Sequence, residues 1–177
     1  MRRAVVGGVI GLMLALVVGC SRPAAPAAGG DPPAPPAARA AGAPAAGEEK
    51  QVREAVQRFY DTFNSHDWGR VAEFTTEDWA HINPLGGWTR GREAVLKELK
   101  EVHATFLKDV TDTPAEMEVR FATADVAVVT VPSTMKGTFT TPDGKKHEND
   151  RQIRTFVVVK RGGKWLIMQD QNTIRGG

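Results

Sequence analysis

The sequence predicts an α+β domain in which helices come first and a run of antiparallel strands follows. Residues 48–65 and 92–107 carry apolar side chains at helical spacing. Most of residues 116–173 instead follow the alternating or continuously apolar patterns of strands. The last two of these strands are joined by Arg161-Gly162-Gly163-Lys164, a sequence typical of a β-hairpin turn.

The first 19 residues have the composition of a secretion signal. Arg2 and Arg3 supply a positive start, and residues 4–18 are a small and apolar run, shorter than the roughly 20 residues of a membrane span. Val17-Val18-Gly19-Cys20 then matches the lipobox of a bacterial lipoprotein, and Cys20 is the only cysteine of the chain. We therefore expect Cys20 to carry a lipid anchor, with an uncleaved signal anchor as the alternative. The expected location is the bacterial cell envelope, on a membrane and facing the periplasm or the exterior.

Residues 21–47 are predicted to be a linker. Of these 27 residues, 12 are Ala, 7 are Pro and 4 are Gly, so the segment cannot bury enough apolar surface to fold. The predicted organisation is a signal peptide at 1–19, a lipidated cysteine with an Ala/Pro-rich linker at 20–47, and one domain at 48–177.

The charge balance gives no support for nucleic-acid binding. Without Arg2 and Arg3, 21 Lys and Arg residues balance 21 Asp and Glu residues, and no basic stripe with interleaved aromatic residues occurs. We therefore expect no nucleic-acid partner, and contact with the membrane only through the lipid anchor.

The first predicted helix spans residues 48–65. Its apolar positions form a single stripe: Val52, Ala55, Val56, Phe59, Tyr60 and Phe63. Ser65 or Asp67 can cap a short second helix that continues to Phe74. A cap explains the neighbours His66 and Asp67 better than a catalytic pair does.

A strand and a third helix come next. In the strand at 79–84, Trp79, His81 and Asn83 share one face. Residues 85–91 contain a Gly-Gly break and a short return. The third helix, at 92–107, has His103 on its apolar stripe, where a packed histidine is a simpler interpretation than a ligand.

Four longer strands complete the domain, at 116–123, 125–139, 148–160 and 165–173, with a Pro- and Gly-containing turn at 141–145. Alternation in the last strand places five residues on one face: Trp165, Ile167, Gln169, Gln171 and Thr173. This face changes from apolar to amide-bearing along its length, which predicts a strand that starts in the core and ends lining a cavity. The alternative is a sheet end where polar residues meet water.

Helix 1, the segment HINPLGGWTRGREAV and the segment GKWLIMQDQNT together resemble the nuclear-transport-factor-2-like superfamily. Within it the domain is most similar to the SnoaL-like group and its SgcJ/EcaC branch. The terminal triplet is often His-Asn-Thr in that branch, so Gln171 departs from the pattern. The resemblance implies a curved antiparallel sheet wrapped around three N-terminal helices, a cystatin-like cone with a pocket, and a homodimer.

The same superfamily includes ketosteroid isomerase. Residues 56–64, VQRFYDTFN, are similar to the first helix of that enzyme, but Phe59 stands where the enzyme has the tyrosine of its oxyanion hole. Asn83 stands where it has the aspartate that acts as base. Phenylalanine has no donor and an amide takes no proton at neutral pH, so the isomerase mechanism is not expected. The resemblance also implies that Trp79, His81 and Asn83 face the cavity.

The expected pocket combines aromatic walls with a few polar groups, a mixture that suits a small, uncharged, partly aromatic ligand. The candidate lining residues are Tyr60, Trp79, Trp88, Trp165, His81, Asn83, Gln169 and Gln171. Only His81 among the inward groups has a pKa suited to proton transfer, which makes it the candidate acid or base. A satisfied buried histidine is the alternative. Phosphate, dinucleotide and zinc motifs are missing from the sequence, so no cofactor and no metal are expected.

Three functional hypotheses follow. The leading one is a lipid-anchored extracytoplasmic domain that binds a small, mostly apolar ligand and has no chemistry of its own. The second is an enzyme acting on a small hydrophobic or aromatic substrate with His81 as acid or base. The SgcJ/EcaC resemblance implies an oxidoreductase, although no redox-cofactor motif accompanies it. The third is a dimerisation or interaction module. A deep cavity reached by His81 would favour the second hypothesis over the first.

Overall fold

The structure is a computed structural model that describes residues 47–175. The predicted signal peptide, Cys20 and the linker up to residue 46 lie outside the described residues. Within 47–175, none of the helices has both the length and the apolar character needed to cross a bilayer.

The described part of the chain contains three helical segments, as predicted for the domain. Helix α1 is Glu48–Ser65, a 3₁₀ helix is Trp68–Glu73, and helix α2 is Arg92–Ala104, three residues shorter than expected. Asp67 caps the 3₁₀ helix by accepting a hydrogen bond from the Gly69 N–H at 3.0 Å. The predicted capping role of Asp67 is therefore confirmed, while His66 ends α1 in a left-handed conformation.

Residues 47–175 also form nine strands, which match the sequence-based predictions less closely than the helices do. They are β1 Thr75–Ile82, β2 Trp88–Arg90, β3 Thr111–Pro114, β4 Glu118–Thr123, β5 Val126–Lys136, β6 Thr138–Thr140, β7 Lys146–Glu148, β8 Arg151–Arg161 and β9 Lys164–Ile174. Strand β3 was not predicted, because Thr-Asp-Thr-Pro shows no alternation of large apolar residues. The long strand predicted at 125–139 is divided at Gly137, whose φ of 118° interrupts the extended backbone.

The main sheet has the order β2-β1-β9-β8-β5-β3, with β4 also paired to β5, and it is curved and not closed. Strands β6 and β7 form a separate two-stranded sheet, the β6–β7 hairpin. All strand pairs are antiparallel except β1 with β9, which is parallel. These two strands are far apart in the chain, so no hairpin fixes their relative direction.

The β8–β9 hairpin has the predicted turn. Strand β8 ends at Arg161 and β9 begins at Lys164, and the two glycines between them have φ values of 57° and 77°. Positive φ at both loop positions is what a type I′ turn requires and what glycine accepts without strain.

The core lies between α1 and the inner face of the sheet. The apolar stripe of α1 is buried as predicted, and Phe59 packs edge-on against Phe156 of β8 with ring centroids 5.2 Å apart. Ile167 of β9 and Val129 of β5 are fully buried in the same core. All of these contacts fall within residues 48–175, so the domain carries its own hydrophobic core.

A β-bulge in β9 changes which residues face inward. Val157 of β8 pairs with Gln169, but the next residue, Val158, pairs with Ile167, so Met168 is an extra residue in β9. A bulge of this kind exchanges the two faces of a strand beyond it. As a result Asp170 and Asn172 point inward.

The prediction of which residues of the last strand face inward is therefore wrong beyond the bulge. Asp170 and Asn172 are 0% and 5% exposed, whereas Gln171 is exposed and Gln169 is half-buried on the outer face. The first half of the face, with Trp165 and Ile167 buried, is as expected.

Candidate functional site

A cavity of about 120 Å³ opens between α2, the ends of β1 and β9, and the β6–β7 hairpin. One side of it is apolar: Phe63, Leu99, Val102, Phe106, Leu107, Met135 and Phe139. The other side carries polar groups: His81, Asn83, Glu98, Thr141, His147, Arg154 and Asn172. An apolar cavity with a few convergent polar groups is typical of a small-molecule site.

Asp170 is the centre of a buried ion cluster beneath this cavity. Its Oδ1 accepts a hydrogen bond from Trp79 Nε1 at 2.9 Å, and its Oδ2 lies 2.9 Å from His81 Nδ1 and 2.6 Å from Arg154 Nη1. Burial by itself would raise the pKa of the Asp170 carboxyl, but the charges and hydrogen bonds of His81 and Arg154 outweigh it, and the pKa is lowered. Asp170 is therefore held as a carboxylate.

The carboxylate fixes the orientation of the His81 ring. An ionised carboxylate only accepts hydrogen bonds, so Nδ1 of His81 carries a proton toward Asp170. His81 is 5% exposed and lines the cavity, which leaves Nε2 as the ring nitrogen for a bound molecule. Nε2 can present a hydrogen-bond acceptor to a ligand when the ring is neutral and a donor when the ring is protonated.

A second histidine, His147 of β7, lines the same cavity. Its Nδ1 lies 2.5 Å from Asp150 Oδ2 and its Nε2 lies 3.3 Å from Thr141 Oγ1. The ring stacks on Phe139 at 4.7 Å between centroids. Both ring nitrogens are thus hydrogen-bonded to side chains in or next to the β6–β7 hairpin, so His147 stabilises the cavity wall. The sequence analysis missed this role, although Asp150 lies only three residues after His147 in the chain.

The rim of the cavity is formed around Glu98 of α2. Asn83 donates through Nδ2 to Glu98 Oε1 at 3.1 Å, and the Thr89 hydroxyl donates to Oε2. Asn83 also accepts the N–H groups of Leu85 and Gly87, each at 3.0 Å. Asn83 therefore lies on the cavity as expected, but its amide is used to hold the loop between β1 and β2.

A chain of three polar side chains leads from the cavity into the core. Asn172 donates through Nδ2 to Gln152 Oε1 at 3.0 Å, and Gln152 donates through Nε2 to Asp112 Oδ2 at 2.6 Å. Asp112 and Gln152 are fully buried, and burial raises the pKa of Asp112. Sequence reasoning missed this chain, since Asp112 lies in the unpredicted strand β3 and Asn172 beyond the bulge.

Two of the expected lining residues are core residues instead. Tyr60 and Trp79 are 0% exposed, and neither lines the cavity. Both point inward as expected. Trp79 binds the same carboxylate as Arg154, which does line the cavity and whose guanidinium lies 4.9 Å from the Phe59 ring centroid. Burial raises the pKa of the Tyr60 hydroxyl.

The other four expected residues lie elsewhere. Trp165 is buried at the start of α1, where its Nε1 donates to Glu48. Trp88 is 59% exposed and stacks with Arg90, because the short strand β2 is at the edge of the sheet. Gln169 and Gln171 are on the outer face because of the bulge at Met168.

His103 is packed among aromatic rings, which agrees with the interpretation of a packed histidine and not with that of a ligand. Its Nδ1 lies 2.7 Å from His66 Nδ1, and its ring meets those of Phe63 and Trp68 edge-on. Burial, with help from His66 and Arg154, lowers the pKa of His103 to about 3. Across residues 47–175 no group of three or more metal-ligating side chains comes together.

The curved sheet packed on α1 and the cavity at its open end define a domain of the nuclear-transport-factor-2-like superfamily, with a cystatin-like fold. More specifically, the chain belongs to the SnoaL-like domain family, whose sequence profile matches residues 56–168. Among curated proteins, none is similar enough in sequence to match.

Solved structures share the fold at low sequence identity. An uncharacterised cystatin-like protein from Caulobacter vibrioides is 23% identical with a TM-score of 0.69, over 72% of this chain and 89% of that one. A hexachlorocyclohexane dehydrochlorinase is 14% identical with a TM-score of 0.61, over 72% and 85% of the two chains. A protein described as a putative ketosteroid isomerase, from Shewanella frigidimarina, is 18% identical with a TM-score of 0.57, over 70% and 94%. At these identities the likeness concerns the fold alone.

Proposed function

We propose that residues 48–177 form a lipid-anchored extracytoplasmic domain that binds a small, mostly apolar ligand. The observation that carries the proposal is the cavity, in which an apolar wall from α2 faces a buried floor of His81, Arg154 and Asn172. Its volume of about 120 Å³ is close to that of an engineered cavity that binds benzene. The ligand is therefore about the size of one ring.

The geometry does not support isomerase chemistry of the ketosteroid type. Phe59 is buried in the core and contributes only its ring to Arg154, and Asn83 is hydrogen-bonded to Glu98. Neither side chain can move a proton or donate strongly to an enolate oxygen.

The anchoring part of the proposal is supported by the lipobox ending at Cys20 and by the Ala/Pro-rich composition of residues 21–47. An extended linker of this composition would hold the domain away from the membrane surface. The proposed location is the outer side of a bacterial cytoplasmic membrane or another envelope membrane.

The direct experiment is native mass spectrometry of the domain purified from its own cells. We expect a mass above that of the sequence, with the excess lost on denaturation and identified as a small apolar molecule. A domain that carries nothing, and binds none of a panel of one-ring compounds, would contradict the proposal.

Acid–base catalysis is the second candidate function, and the contact between His81 and Asp170 favours it. A carboxylate that holds one ring nitrogen while the other faces a cavity is the arrangement of a general base. The test is exchange of a ligand C–H for deuterium in heavy water. Exchange accelerated by the wild-type protein but not by His81→Gln, with ligand binding retained, would establish an enzyme. Binding without accelerated exchange would exclude this catalysis and leave ligand binding as the function.

Self-association into a homodimer is the third candidate, and the outer face of the sheet favours it. Ile153 and Val157 of β8 and Val128 of β5 alternate with buried residues and are half-buried on that face. Sedimentation should show a dimer that Val157→Lys converts to a monomer, whereas Gln171→Lys should not. A wild-type monomer would remove this candidate.

A further inference from the structure

Arg154 and Asn172 occupy directly opposite positions on β8 and β9 at the cavity floor. They are register partners in the antiparallel pair, both line the cavity, and they are only 3% and 5% exposed. The Cβ atoms of directly opposite residues are about 4.5–5.5 Å apart. The two side chains therefore start from neighbouring positions on the cavity floor.

Each of these side chains has one buried polar atom without a hydrogen-bond partner among residues 47–175. These atoms are Arg154 Nε, a donor, and Asn172 Oδ1, an acceptor. Buried polar groups in proteins are nearly always paired, because an unpaired one loses its hydrogen bonds to water. An unpaired donor and an unpaired acceptor at opposite positions of two paired strands indicate a bound group that can serve both.

The orientation of the Asn172 amide follows from the chain behind it. Gln152 donates through its Nε2 to Asp112 Oδ2 and presents its Oε1 to Asn172. Asn172 then has to donate through Nδ2. Its carbonyl oxygen remains available, and the amide cannot flip without breaking its hydrogen bond to Gln152.

We propose that Arg154 Nε and Asn172 Oδ1 together bind a hydroxyl group of the ligand. The hydroxyl oxygen accepts from the guanidinium while its proton is donated to the amide oxygen. A ketone or a carboxylate cannot donate to Asn172, and a hydrocarbon satisfies neither atom. The ligand class is therefore a small apolar alcohol or phenol. The inference rests on the proposed function of the cavity as a ligand site.

The test compares phenol with toluene, which have the same number of heavy atoms and differ in the hydroxyl group. The probes are titrated into residues 48–177, and binding is followed by NMR. With one neutral and one charge-assisted hydrogen bond, we expect phenol to bind the wild-type domain about tenfold more tightly than toluene. Asn172→Leu, which keeps the approximate size, should bring the two affinities together.

The test includes a control variant and a second measurement. Leu99→Ala alters the apolar wall and should change both affinities by a similar factor, so the preference for phenol persists. If Asn172→Leu does not fold, the Arg154 Nε–H signal of the wild type serves instead, since phenol should shift it strongly and toluene should not.

The outcomes separate this inference from the function on which it rests. Toluene binding as tightly as phenol, or a phenol preference that survives Asn172→Leu, would overturn the hydroxyl site and leave the cavity proposal standing. Failure of both probes to bind would overturn both.

Discussion

The Nδ1 atom of His81 lies 2.9 Å from Oδ2 of Asp170, and the two residues are register partners on the parallel strands β1 and β9. The same carboxylate oxygen holds Arg154 at 2.6 Å. The irregular features of the fold, the parallel pair and the bulge at Met168, are what bring these three side chains together beneath the cavity.

Removing the charge of Asp170 should be strongly destabilising. Asp170→Asn keeps the side-chain volume but leaves the buried guanidinium of Arg154 without its counter-charge, which costs about 3–5 kcal/mol in other proteins. The control is Asp78→Asn, since Asp78 pairs with Arg161 at 2.9 Å on the surface, where such pairs contribute about 0.2–1 kcal/mol. Urea denaturation measures both, and similar losses in the two variants would show that the buried cluster is not a stabilising unit.

Stability should fall between about pH 6.5 and pH 3 because of His103. Its pKa is lowered to about 3 in the folded domain, whereas an unfolded histidine titrates near 6.5. In this window the unfolded state binds a proton that the folded state does not, so the free energy of unfolding decreases as pH falls, by up to about 1.4 kcal/mol per pH unit.

The measurement is urea denaturation at several pH values, with His103→Gln as the comparison. Asp170, whose pKa is lowered, loses its contribution only below its unfolded pKa of about 3.9. The slope above pH 4.5 should therefore be less steep in His103→Gln. An unchanged slope would mean that His103 is protonated in the folded domain.

The sequence predicts the parts of this fold that depend on local patterns. The stripe of α1, the Asp67 cap and the Gly162-Gly163 turn each follow from residues close together in the chain. The bulge at Met168 cannot be predicted from neighbouring residues in the same way. The alternating pattern of the sequence continues through β9, and the shift in strand register arises from the pairing of β9 with β8.

The candidate site was predicted only where alternation was unbroken. His81 on β1 and Asn83, the residue after the end of β1, both line the cavity, since this part of the strand is regular. The prediction placed Asp170 and Asn172 on the wrong face because it did not include the bulge at Met168. Asp112 was missed because Thr111–Pro114 forms a strand through pairing with β5, and its own residues do not favour one.

The stripe of α1 should dominate the stability of the core. Phe63 is 3% exposed, and Phe63→Ala should cost roughly 3–5 kcal/mol, as other buried phenylalanines do. Arg58 on the opposite side of α1 forms an exposed contact with Glu73 at 3.7 Å, so Arg58→Ala should cost under about 0.5 kcal/mol. Thermal denaturation of both variants compares them, and equal small effects would show that the stripe is not the core face.

Lipidation should depend on Cys20 alone. Because the chain has no other cysteine, Cys20→Ala should accumulate as an unprocessed precursor that incorporates no labelled palmitate in cells. Wild-type protein in the same cells is the positive control. Continued labelling of the Cys20→Ala variant would exclude the proposed anchor.

The central claim, that the cavity beside His81 is the ligand site, is tested most directly by filling it. Leu99 is buried on its apolar wall, and Leu99→Trp should occupy about the space of one small ring. In a titration with phenol, we expect saturable shifts of the Val102 and Met135 methyl signals in the wild type and none in the folded Leu99→Trp variant. Equal shifts in both proteins, or shifts only on the outer face around Gln171, would place binding elsewhere and contradict the claim.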